Sequence, residues 1–279
     1  MTLNNKAIAF IGAGNMAEAL IRGLVKAGTF APQRIVAADI RAEQLDFLRQ
    51  NFGVRVTGDN ATAVAEASVV VLAVKPQQVC AALAGVRGKM SADKLTISIV
   101  AGVPTMRIEK ELAQKGSGSA VKMRVVRVMP NTPALVGAGV SAMAKGVNAT
   151  EEDLATAEAI LGAVGITVRV EERFMDAVTA LSGSGPAYVF YVTEAMIKAG
   201  VAAGLDEALA KKLAIQTVYG AGKLLVESGE SPESLRRKVT SPGGTTEAAI
   251  KVMTGRKLME ILTEAVQAAE KRSRELSEP

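Results

Sequence analysis

Residues 8–20 constrain the fold of this chain more than any other segment. They read Ile-Ala-Phe-Ile-Gly-Ala-Gly-Asn-Met-Ala-Glu-Ala-Leu, so a short apolar run ends at Gly12, a second glycine follows at Gly14, and Ala17 opens a helix with apolar periodicity. This is the Gly-x-Gly-x-x-Ala form of the dinucleotide fingerprint, in which Gly12 allows a tight turn and Gly14 lets the backbone approach a pyrophosphate. Because the N–H groups at the helix start bind phosphate oxygens, the segment predicts a dinucleotide site close to the N-terminus.

The composition excludes several classes of enzyme and partner. Histidine is absent from the 279 residues, which removes Ser-His and Cys-His mechanisms, a histidine proton donor and nearly every zinc site, so we expect no metal. With 3% aromatic residues and no tryptophan, stacking on nucleic-acid bases is not expected. The one dense basic cluster, Arg236-Arg237-Lys238, is interpreted as a solvated helix face, so we expect no nucleic-acid partner.

The single cysteine and the first residues bear on the location of the protein. Cys80 has no second cysteine with which to form a disulfide, which suits a reducing compartment. Its alanine-rich helical context predicts a buried, unreactive thiol. Residues 1–7 are polar, and no apolar run approaches the length of a membrane span, so we expect no membrane contact and a cytoplasmic location.

Strand and helix patterns alternate through the first 170 residues. After the fingerprint helix at about residues 17–28, apolar runs predict strands at residues 34–38, 54–56, 69–74, 95–100 and 122–128, with helices at 42–51, 61–67, 77–85 and 105–114. Two closing strands, at 140–144 and 166–170, flank a helix at 150–164 whose Thr150-x-x-Asp153 start is a cap signal. The alternation predicts an α/β domain over residues 1–170, a doubly wound parallel sheet of the Rossmann type.

Ligands in such sheets bind beyond the carboxyl ends of the strands. Asp39 ends the second predicted strand, where a carboxylate accepts hydrogen bonds from the ribose hydroxyls of NAD and repels the 2′-phosphate of NADP. Arg41 is expected either to pair with that phosphate or to stack on adenine. Asp39 and Arg41 thus point in opposite directions, and we lean towards NADPH with NADH as the alternative. Lys75 lies at the same rim, with a solvated loop lysine as the alternative, and Asn60 is predicted to cap the third helix.

From about residue 171 the strand patterns give way to helical periodicity. Helices are predicted at residues 174–181, 186–203, 206–228, 232–239, 245–254 and 256–276, with Gly204, Gly229 and Gly255 at helix ends. Several helices are apolar around much of their circumference, which a domain of about 110 residues can hardly bury by itself. We therefore predict an all-helical domain over residues 171–279 that associates with a second subunit, and burial against the first domain is the alternative.

Two loops interrupt the predicted helices. Residues 182–186, Ser-Gly-Ser-Gly-Pro, run into a helix that starts at Pro186. Residues 241–246, Ser-Pro-Gly-Gly-Thr-Thr, hold two adjacent glycines before a helix, which leaves backbone N–H groups free to bind an anion, and the threonine hydroxyls add neutral donors. Beside a dinucleotide domain, a small carboxylate substrate is the expected anion, and an N-capping loop is the alternative.

Five motifs together give the chain a resemblance to a known enzyme family. They are Ile-Gly-Ala-Gly-Asn-Met-Ala at 11–17, Ala-Val-Lys-Pro at 73–76, Met-Pro-Asn-Thr-Pro at 129–133, Asp-Ala-Val-Thr-Ala-Leu-Ser-Gly-Ser-Gly-Pro-Ala-Tyr at 176–188 and Val-Thr-Ser-Pro-Gly-Gly-Thr-Thr at 239–246. Over essentially its full length the chain resembles pyrroline-5-carboxylate reductase. The first motif is shared by many dehydrogenases, whereas the last two are close to diagnostic together. The resemblance implies reduction of the cyclic imine of 1-pyrroline-5-carboxylate to L-proline with NADPH or NADH, the last step of proline biosynthesis.

The resemblance also implies a set of site residues. Its cofactor residues are Ile11, Gly12, Ala13, Gly14, Asn15 and Met16 at the pyrophosphate, Asp39 and Arg41 at the ribose, and Asn60, Ala73, Val74, Lys75, Pro76, Ala101, Gly102, Val103 and Asn131 in the rest of the site. Its substrate residues are Glu171, Ser241, Gly243, Gly244, Thr245 and Thr246. In this set the loop amides receive the substrate carboxylate, and Thr246 is the catalytic residue that hydrogen-bonds the ring nitrogen. Some family members have asparagine in place of Lys238, so the resemblance does not support a substrate contact by that side chain.

The resemblance implies an assembly as well. In the family the helical domains of two subunits interlock, so each active site combines a cofactor domain with the helices of its partner, and dimers often associate into a decamer. The chemistry suits a chain without histidine, because a protonated imine is already electrophilic and needs orientation more than a strong acid.

Three other functions stay open on the sequence alone. They are a reductase of another cyclic imine, a hydroxyacid dehydrogenase of the same architecture, and a non-catalytic NADPH-binding sensor or scaffold. A hydroxyacid dehydrogenase would need a proton donor for its alkoxide, and none is evident. The intact 241–246 loop argues against a sensor, because a sensor has no need of a carboxylate site.

Overall fold

The computed structural model of the chain describes Leu3, residues 6–113 and residues 122–277. The chain divides into two units, one formed by Met1–Ser184 with Ala269–Pro279 and the other by Gly185–Ala268. The domain boundary between residues 170 and 171 stays a prediction, drawn just after the last strand of the first unit. The end of the predicted 105–114 helix, at Gln114, lies outside the described residues.

The first unit is built around a sheet of eight strands. In chain order they are β1 (Ile8–Ile11), β2 (Ile35–Ala38), β3 (Arg55–Thr57), β4 (Val69–Leu72), β5 (Leu95–Ser98), β6 (Arg124–Met129), β7 (Gly139–Lys145) and β8 (Gly165–Arg169). Their spatial order is β3-β2-β1-β4-β5-β6-β7-β8, so the first six strands have the Rossmann order. The predicted Rossmann-type sheet is confirmed.

Helices cover both faces of this sheet. The described helices of the first unit are α1 (Asn15–Lys26), α2 (Ala42–Phe52), α3 (Asn60–Ala65), α4 (Val79–Val86), α5 (Thr105–Leu112), α6 (Glu151–Leu161) and α7 (Met175–Val178). Alternate residues of β1 enter two separate apolar clusters, Ile8 and Phe10 in one and Ala9 and Ile11 in the other. Because both faces are buried, the strands read as continuous apolar runs rather than as an alternating pattern. The predicted capping box of α6 is confirmed, since the Thr150 hydroxyl accepts from the N–H of Asp153 at 3.2 Å.

The two closing strands depart from the predicted parallel arrangement. Strands β1 to β6 pair in parallel, whereas β7 is antiparallel to β6, and β8 is parallel to β7. The length of the connections explains the difference. Only residues 130–138 join β6 to β7, which is too few for a parallel crossover, while α6 carries the chain from β7 to β8.

The prediction of a buried thiol is wrong. Cys80 is exposed, as the second residue of α4. That helix buries the stripe formed by Val79, Ala82, Leu83 and Val86, which has the i, i+3, i+4, i+7 spacing of one helix face. Cys80 therefore belongs to the opposite, solvent-facing side, which the apolar composition of the segment does not reveal.

The predicted cap of the third helix is displaced by one residue. Asp59 caps α3, because its carboxylate accepts hydrogen bonds from the N–H groups of Ala61 at 3.3 Å and Thr62 at 2.8 Å. Asn60 is the first helical residue and leaves its side chain out of the cap. A charged carboxylate near the positive end of the helix dipole is at least as good a cap as an amide.

The predicted loop at residues 182–186 is largely helical. A π-helical turn spans Thr179–Gly183, and the N–H of Ser184 donates to the carbonyl of Thr179 at 2.8 Å. Helix α8 (Gly185–Ala202) follows, with Pro186 as its second residue rather than its first. Single π-helical turns of this kind are frequent at functional sites.

The second unit is helical, as predicted. It contains α8, α9 (Glu207–Ser228), α10 (Pro232–Lys238), α11 (Thr245–Gly255) and the first part of α12 (Leu258–Ser277), whose last turns belong to the first unit. Gly229 ends α9 in the left-handed conformation, in agreement with the sequence. Gly255 is instead the last residue of α11, and Lys257 has the positive φ, 57°, between α11 and α12.

Large apolar side chains are exposed along the helices of this unit. Phe190, Tyr191 and Val226 are 61%, 74% and 84% exposed, and the buried hydrophobic residues described in the unit are the small Ala210 and Ala214. Extensive exposed apolar surface marks a surface for association. No helix in the described part of the chain has the length and apolar content to cross a membrane.

Candidate active site

The six parallel strands of the first unit, β1 to β6, end at the same edge of the sheet. Ile11 pairs with both Ala38 and Leu72, and Leu72 pairs with Ser98, so the loops after β1, β2, β4 and β5 begin side by side. Backbone hydrogen bonds join these loops: the N–H of Gly12 donates to the carbonyl of Ala38 at 2.8 Å, and the N–H of Ala73 donates to Ile11 at 2.8 Å. The parallel strand β6 ends at the same edge with Met129. This carboxyl edge is where open α/β sheets bind ligands.

The turn after β1 leaves its backbone open to an anion. Gly12 has a φ of 92°, and a Cβ atom there would lie 2.7 Å from the carbonyl oxygen of Ala73, so only glycine fits. Gly14 precedes α1 in an extended conformation, no side chain caps the helix, and a Cβ on Gly14 would meet nothing within 4 Å. The N–H groups of the first turn, at Asn15 and Met16, have no carbonyl partner within the helix. The turn therefore fits the pyrophosphate of a dinucleotide.

Asp39 follows β2, and its carboxylate accepts four hydrogen bonds. Oδ2 accepts from the N–H of Ala13 at 2.8 Å and from Nη2 of Arg41 at 3.0 Å, while Oδ1 accepts from the N–H and Nε of Arg41, both at 2.9 Å. Burial alone would raise the pKa of Asp39, but the hydrogen bonds from Arg41 and from the N–H of Ala13 lower it to about 2. The Arg41 side chain stays 56% exposed. The pair thus joins the phosphate-binding turn to a cation that solvent can reach.

The other predicted cofactor residues of the first unit lie at the same edge. Lys75 and Pro76 are exposed after β4, beyond the half-buried Ala73 and Val74, and Asn60 follows β3. After β5, Ala101 is exposed, whereas Gly102 and Val103 are buried. The structure therefore brings the predicted strand-end residues together.

Asn131, after β6, uses its side-chain amide within the protein. Its Nδ2 donates to the carbonyl of Ser182 at 3.2 Å, and its Oδ1 accepts from the N–H of Val140 at 2.9 Å. The side chain thereby joins the 129–133 loop to the π-helical turn at Thr179–Gly183. This contact gives Asn131 a structural role, and its role in cofactor binding stays a prediction.

Glu172 joins the start of α5 to β6 and was not among the predicted residues. Its carboxylate accepts from the N–H of Thr105 at 2.8 Å and from the Thr105 hydroxyl at 2.7 Å, so it caps α5 from 67 residues away. Arg127, only 5% exposed, donates to the same carboxylate at 3.4 Å. A buried arginine within an apolar strand needs an anionic partner, and Arg127 is the signal from which such a carboxylate is predictable.

Glu109, one helical turn beyond Thr105, is a second carboxylate beside this cluster. Its Oε1 is buried and has no hydrogen-bond partner in the part of the chain that the structure describes. Burial, and then the negative charge of Glu172, raise the pKa of Glu109, against the hydrogen bonds from the N–H groups of Asn148 and Val147. The neutral acid is therefore favoured at this position relative to a free glutamate.

Glu171 differs sharply from its neighbour Glu172. Its side chain is 67% exposed and pairs with Arg173 at 3.0 Å, just before a short 3₁₀ turn at Glu172–Phe174. Glu171 belongs to the first unit and the 241–246 loop to the second, and the role of Glu171 towards the substrate stays a prediction.

The 241–246 loop lies in the second unit, directly before α11. Gly243 has a φ of 71°, and its N–H donates to the carboxylate of Glu247 at 2.8 Å, while the N–H of Gly244 donates to the carbonyl of Ser241 at 3.0 Å. No side chain caps α11 from the position before it, Gly244. The backbone donors that remain for an anion are therefore those of the first helical turn, at Thr245 and the half-buried Thr246.

The basic cluster before this loop is a solvated helix face, as predicted. Arg236, Arg237 and Lys238 occupy the last turn of α10 and are exposed. Lys238 pairs with Glu230 at 2.7 Å, and Arg237 pairs with Glu233 at 3.4 Å. Lys238 is thus paired with a carboxylate that lies just before its own helix.

Comparison with known proteins agrees with these features. A family model described as pyrroline-5-carboxylate reductase dimerisation matches residues 172–276, and one described as NADP oxidoreductase coenzyme F420-dependent matches residues 7–102. The first covers the helices with exposed apolar side chains, and the second covers the phosphate-binding turn and the Asp39–Arg41 pair.

Relatives of known function match the chain over nearly its whole length. It is 44% identical to the pyrroline-5-carboxylate reductase of Methanosarcina acetivorans, over 98% of this chain and 99% of that one, and 43% identical to the enzyme of Arabidopsis thaliana, over 97% and 95%. The solved pyrroline-5-carboxylate reductase of Coxiella burnetii superposes with a TM-score of 0.91 at 41% identity, covering 99% and 100% of the two chains. The Plasmodium falciparum enzyme, solved with NADP bound, gives 0.84 at 29% identity and 99% coverage of both. The chain therefore belongs to the pyrroline-5-carboxylate reductase family.

Proposed function

We propose that this protein reduces the imine of 1-pyrroline-5-carboxylate to L-proline with NADPH, and that NADH is the alternative cofactor. The full-length relationship to pyrroline-5-carboxylate reductases carries the proposal, because it spans both the phosphate-binding turn of the first unit and the 241–246 loop of the second. The exposed guanidinium of Arg41 supports a cofactor with a 2′-phosphate, since arginine binds phosphate through two parallel hydrogen bonds.

The proposed reaction asks for orientation rather than for a strong acid. When bound, the reduced nicotinamide supplies a hydride to the imine carbon, and the ring nitrogen keeps the proton that it carried as the iminium ion. The amine product is thus formed without a further proton transfer at the moment of reduction. Thr246 accepts a hydrogen bond from the iminium N–H and so fixes the ring. This role requires no histidine, and the chain contains none.

The substrate carboxylate is assigned to the start of α11. The N–H groups of Thr245 and Thr246 are the first donors of that helix, and its dipole favours a negative charge there. The N–H groups of Gly243 and Gly244 have partners within the loop, so they would join the carboxylate only by exchanging those partners. The Ser241 hydroxyl is a further neutral donor in the same loop.

The proposal also covers the dimer contact, the size of the assembly and the location of the protein. The family relationship supports a homo-oligomer, and we assign its dimer contact to the exposed apolar side chains of α8 to α12. Association of dimers into a decamer and a location in the cytoplasm complete the proposal. A single exposed cysteine with no disulfide partner suits that reducing compartment.

The test compares Thr246→Ala with Thr246→Ser in the oxidation of NADPH by 1-pyrroline-5-carboxylate. Loss of a hydrogen bond to a charged group costs about 1.5–3 kcal/mol, so we expect kcat/KM of the alanine variant to fall by about ten- to hundredfold. The serine variant keeps the hydroxyl and should keep most of the activity. The affinity for NADPH should be the same in both, because the loop lies outside the phosphate-binding turn.

Two results would contradict the proposal at different levels. If the parent protein binds NADPH but forms no proline from this imine, the assigned reaction is wrong. If the parent forms proline and the alanine variant does so equally fast, the reaction stands and Thr246 has no part in it.

A further inference from the structure

Residues 172–176 hold the loop that follows β5 at two points, directly at one and through the end of α12 at the other. At one end, Glu172 accepts two hydrogen bonds from Thr105, the first residue of α5. At the other end, Gly102 lies against the last turn of α12, which residues 172–176 also hold. This loop, residues 99–104, is at the edge of the sheet assigned to the cofactor.

Asp176 binds the last turns of α12. Its Oδ1 accepts a hydrogen bond from the Ser273 hydroxyl at 2.7 Å, and Ser273 is only 6% exposed. The Ser277 hydroxyl lies at 3.5 Å from the same oxygen and donates to the carbonyl of Ser273 at 3.0 Å. Hydrogen bonds from a buried hydroxyl to a carboxylate are among the stronger polar contacts of a protein. The helix end is thus fixed to a residue 97 positions earlier in the chain.

The same turn of α12 lies directly against the loop. Gly102 is buried and has a φ of 71°, and a Cβ atom on it would lie 3.3 Å from the carbonyl oxygen of Leu276 and 3.5 Å from its carbonyl carbon. The backbone of α12 therefore occupies the space beside Gly102. The Leu276 side chain is 58% exposed, so apolar burial contributes little to holding this turn in place.

We propose that Asp176 is a positioning residue for cofactor binding, because it holds Ser273 and thereby keeps the last turn of α12 against Gly102. The inference rests on the proposed function, since it takes the loop at residues 99–104 to line the cofactor site. With the turn in place, Gly102 is backed by helix backbone and cannot move away from the sheet edge. With the hydrogen bond lost, that end of the loop is freed, while Glu172 still holds Thr105.

The test measures the dissociation constant of NADPH by fluorescence for Asp176→Ala and Asp176→Asn in the full-length protein. Asparagine keeps an oxygen that accepts from Ser273, whereas alanine does not. We expect a five- to tenfold rise in the dissociation constant for alanine, and a change below about twofold for asparagine, because ordering a loop is an appreciable part of ligand affinity. Ser273→Ala removes the same bond from the other side and should match Asp176→Ala.

A control on the same helix is Thr263→Ala, whose hydroxyl donates to the carbonyl of Met259 within α12 at 2.9 Å. This variant should bind NADPH like the parent. Hydrogen exchange of the loop amides should be faster in Asp176→Ala and in Ser273→Ala, and unchanged in Thr263→Ala. In the reductase assay, Asp176→Ala and Ser273→Ala should each have a higher KM for NADPH and an unchanged kcat.

Three results would overturn the inference. The first is an unchanged dissociation constant in both Asp176→Ala and Ser273→Ala, and the second is an equal loss of affinity in Asp176→Asn. The third is a loss of affinity that accompanies a change of oligomer size, measured by light scattering, since Asp176 would then act through the assembly. The affinity measurement does not use the imine, so it is separate from a failure of the proposed reaction, which would show as absent proline formation by a protein that binds NADPH.

Discussion

Alanine substitutions at Gly12 and Gly14 separate the two functions that glycine has in the phosphate-binding turn. Gly12→Ala introduces a side chain at a φ of 92° and places its Cβ 2.7 Å from the carbonyl oxygen of Ala73 and 3.1 Å from Cγ1 of Val74. Gly14→Ala introduces the same atom at a φ of −71°, where nothing lies within 4 Å. The first substitution therefore acts on the folded protein, and the second acts on the space that the ligand needs.

The geometry sets the size of each effect. A non-glycine residue in a sparsely populated backbone region costs about 1–3 kcal/mol, and overpacking against backbone that must shift costs about 1–3 kcal/mol more. With a total of about 4 kcal/mol, and about 2–4 °C lost per kcal/mol for a protein of this size, Gly12→Ala should lower Tm by about 8–16 °C. Gly14→Ala has an allowed backbone and free space, so the free energy of unfolding should change by less than about 1 kcal/mol.

Gly14→Ala, which hardly changes stability, is expected to weaken cofactor binding. A methyl group at Gly14 occupies the path of the pyrophosphate and prevents a charge-assisted hydrogen bond of about 1.5–3 kcal/mol, so the dissociation constant of NADPH should rise at least tenfold. Thermal unfolding and NADPH fluorescence titration on the same samples give both quantities. An equal loss of Tm in Gly14→Ala and Gly12→Ala would contradict the separate functions of the two glycines. NADPH binding by Gly14→Ala as tight as that of the parent would contradict them as well.

Two further predictions concern charged side chains. Because burial and the charge of Glu172 raise the pKa of Glu109 above its ordinary 4.5, the stabilising neutral form is lost as the pH rises through that raised pKa. Glu109→Gln should therefore raise Tm at about pH 8 and have little effect near pH 4, and thermal melts showing the same shift at both pH values would contradict the assignment. Arg41→Ala should weaken NADPH binding by about tenfold and NADH binding by much less, because only NADPH carries the 2′-phosphate. Titration with both cofactors checks this, and an equal loss for the two would remove Arg41 from the phosphate.

Much of the first unit is predictable because its strands are buried on both faces. Four consecutive buried apolar residues in β4, Val69–Leu72, cannot belong to a half-exposed strand, and the glycines after β1 mark the end of the neighbouring strand. The direction of β7 is different in kind. It depends on the connection to β6. The predicted strands at 122–128 and 140–144 leave too few residues between them for a parallel crossover, a limit that the alternation of strands and helices does not take into account.

Two errors concern the first residue of one helix and the buried face of another. Asp59 and Asn60 are adjacent and both are good caps, so the sequence does not decide which one precedes the helix. Cys80 lies in a segment that is apolar all round, and its exposure follows only from the side of α4 that packs on the sheet. In both cases the composition predicts the helix and leaves its rotation or its first residue undetermined.

The contacts that hold the site together are beyond local patterns for a further reason. The pairs Thr105–Glu172 and Asp176–Ser273 join residues 67 and 97 positions apart, and any of the many carboxylates in the chain is an equally good partner by chemistry. The sequence does establish that a partner is needed. Arg127 is a charged residue in a strand of buried apolar neighbours, so a carboxylate from elsewhere in the chain must contact it. The fold selects Glu172 because β8 pairs with β7 and β7 pairs with β6, so the turn after β8 comes close to Arg127 of β6 and to the start of α5. We therefore expect the partner of a buried charge in a strand to come from a turn near a strand end, where such turns also hold the binding loops.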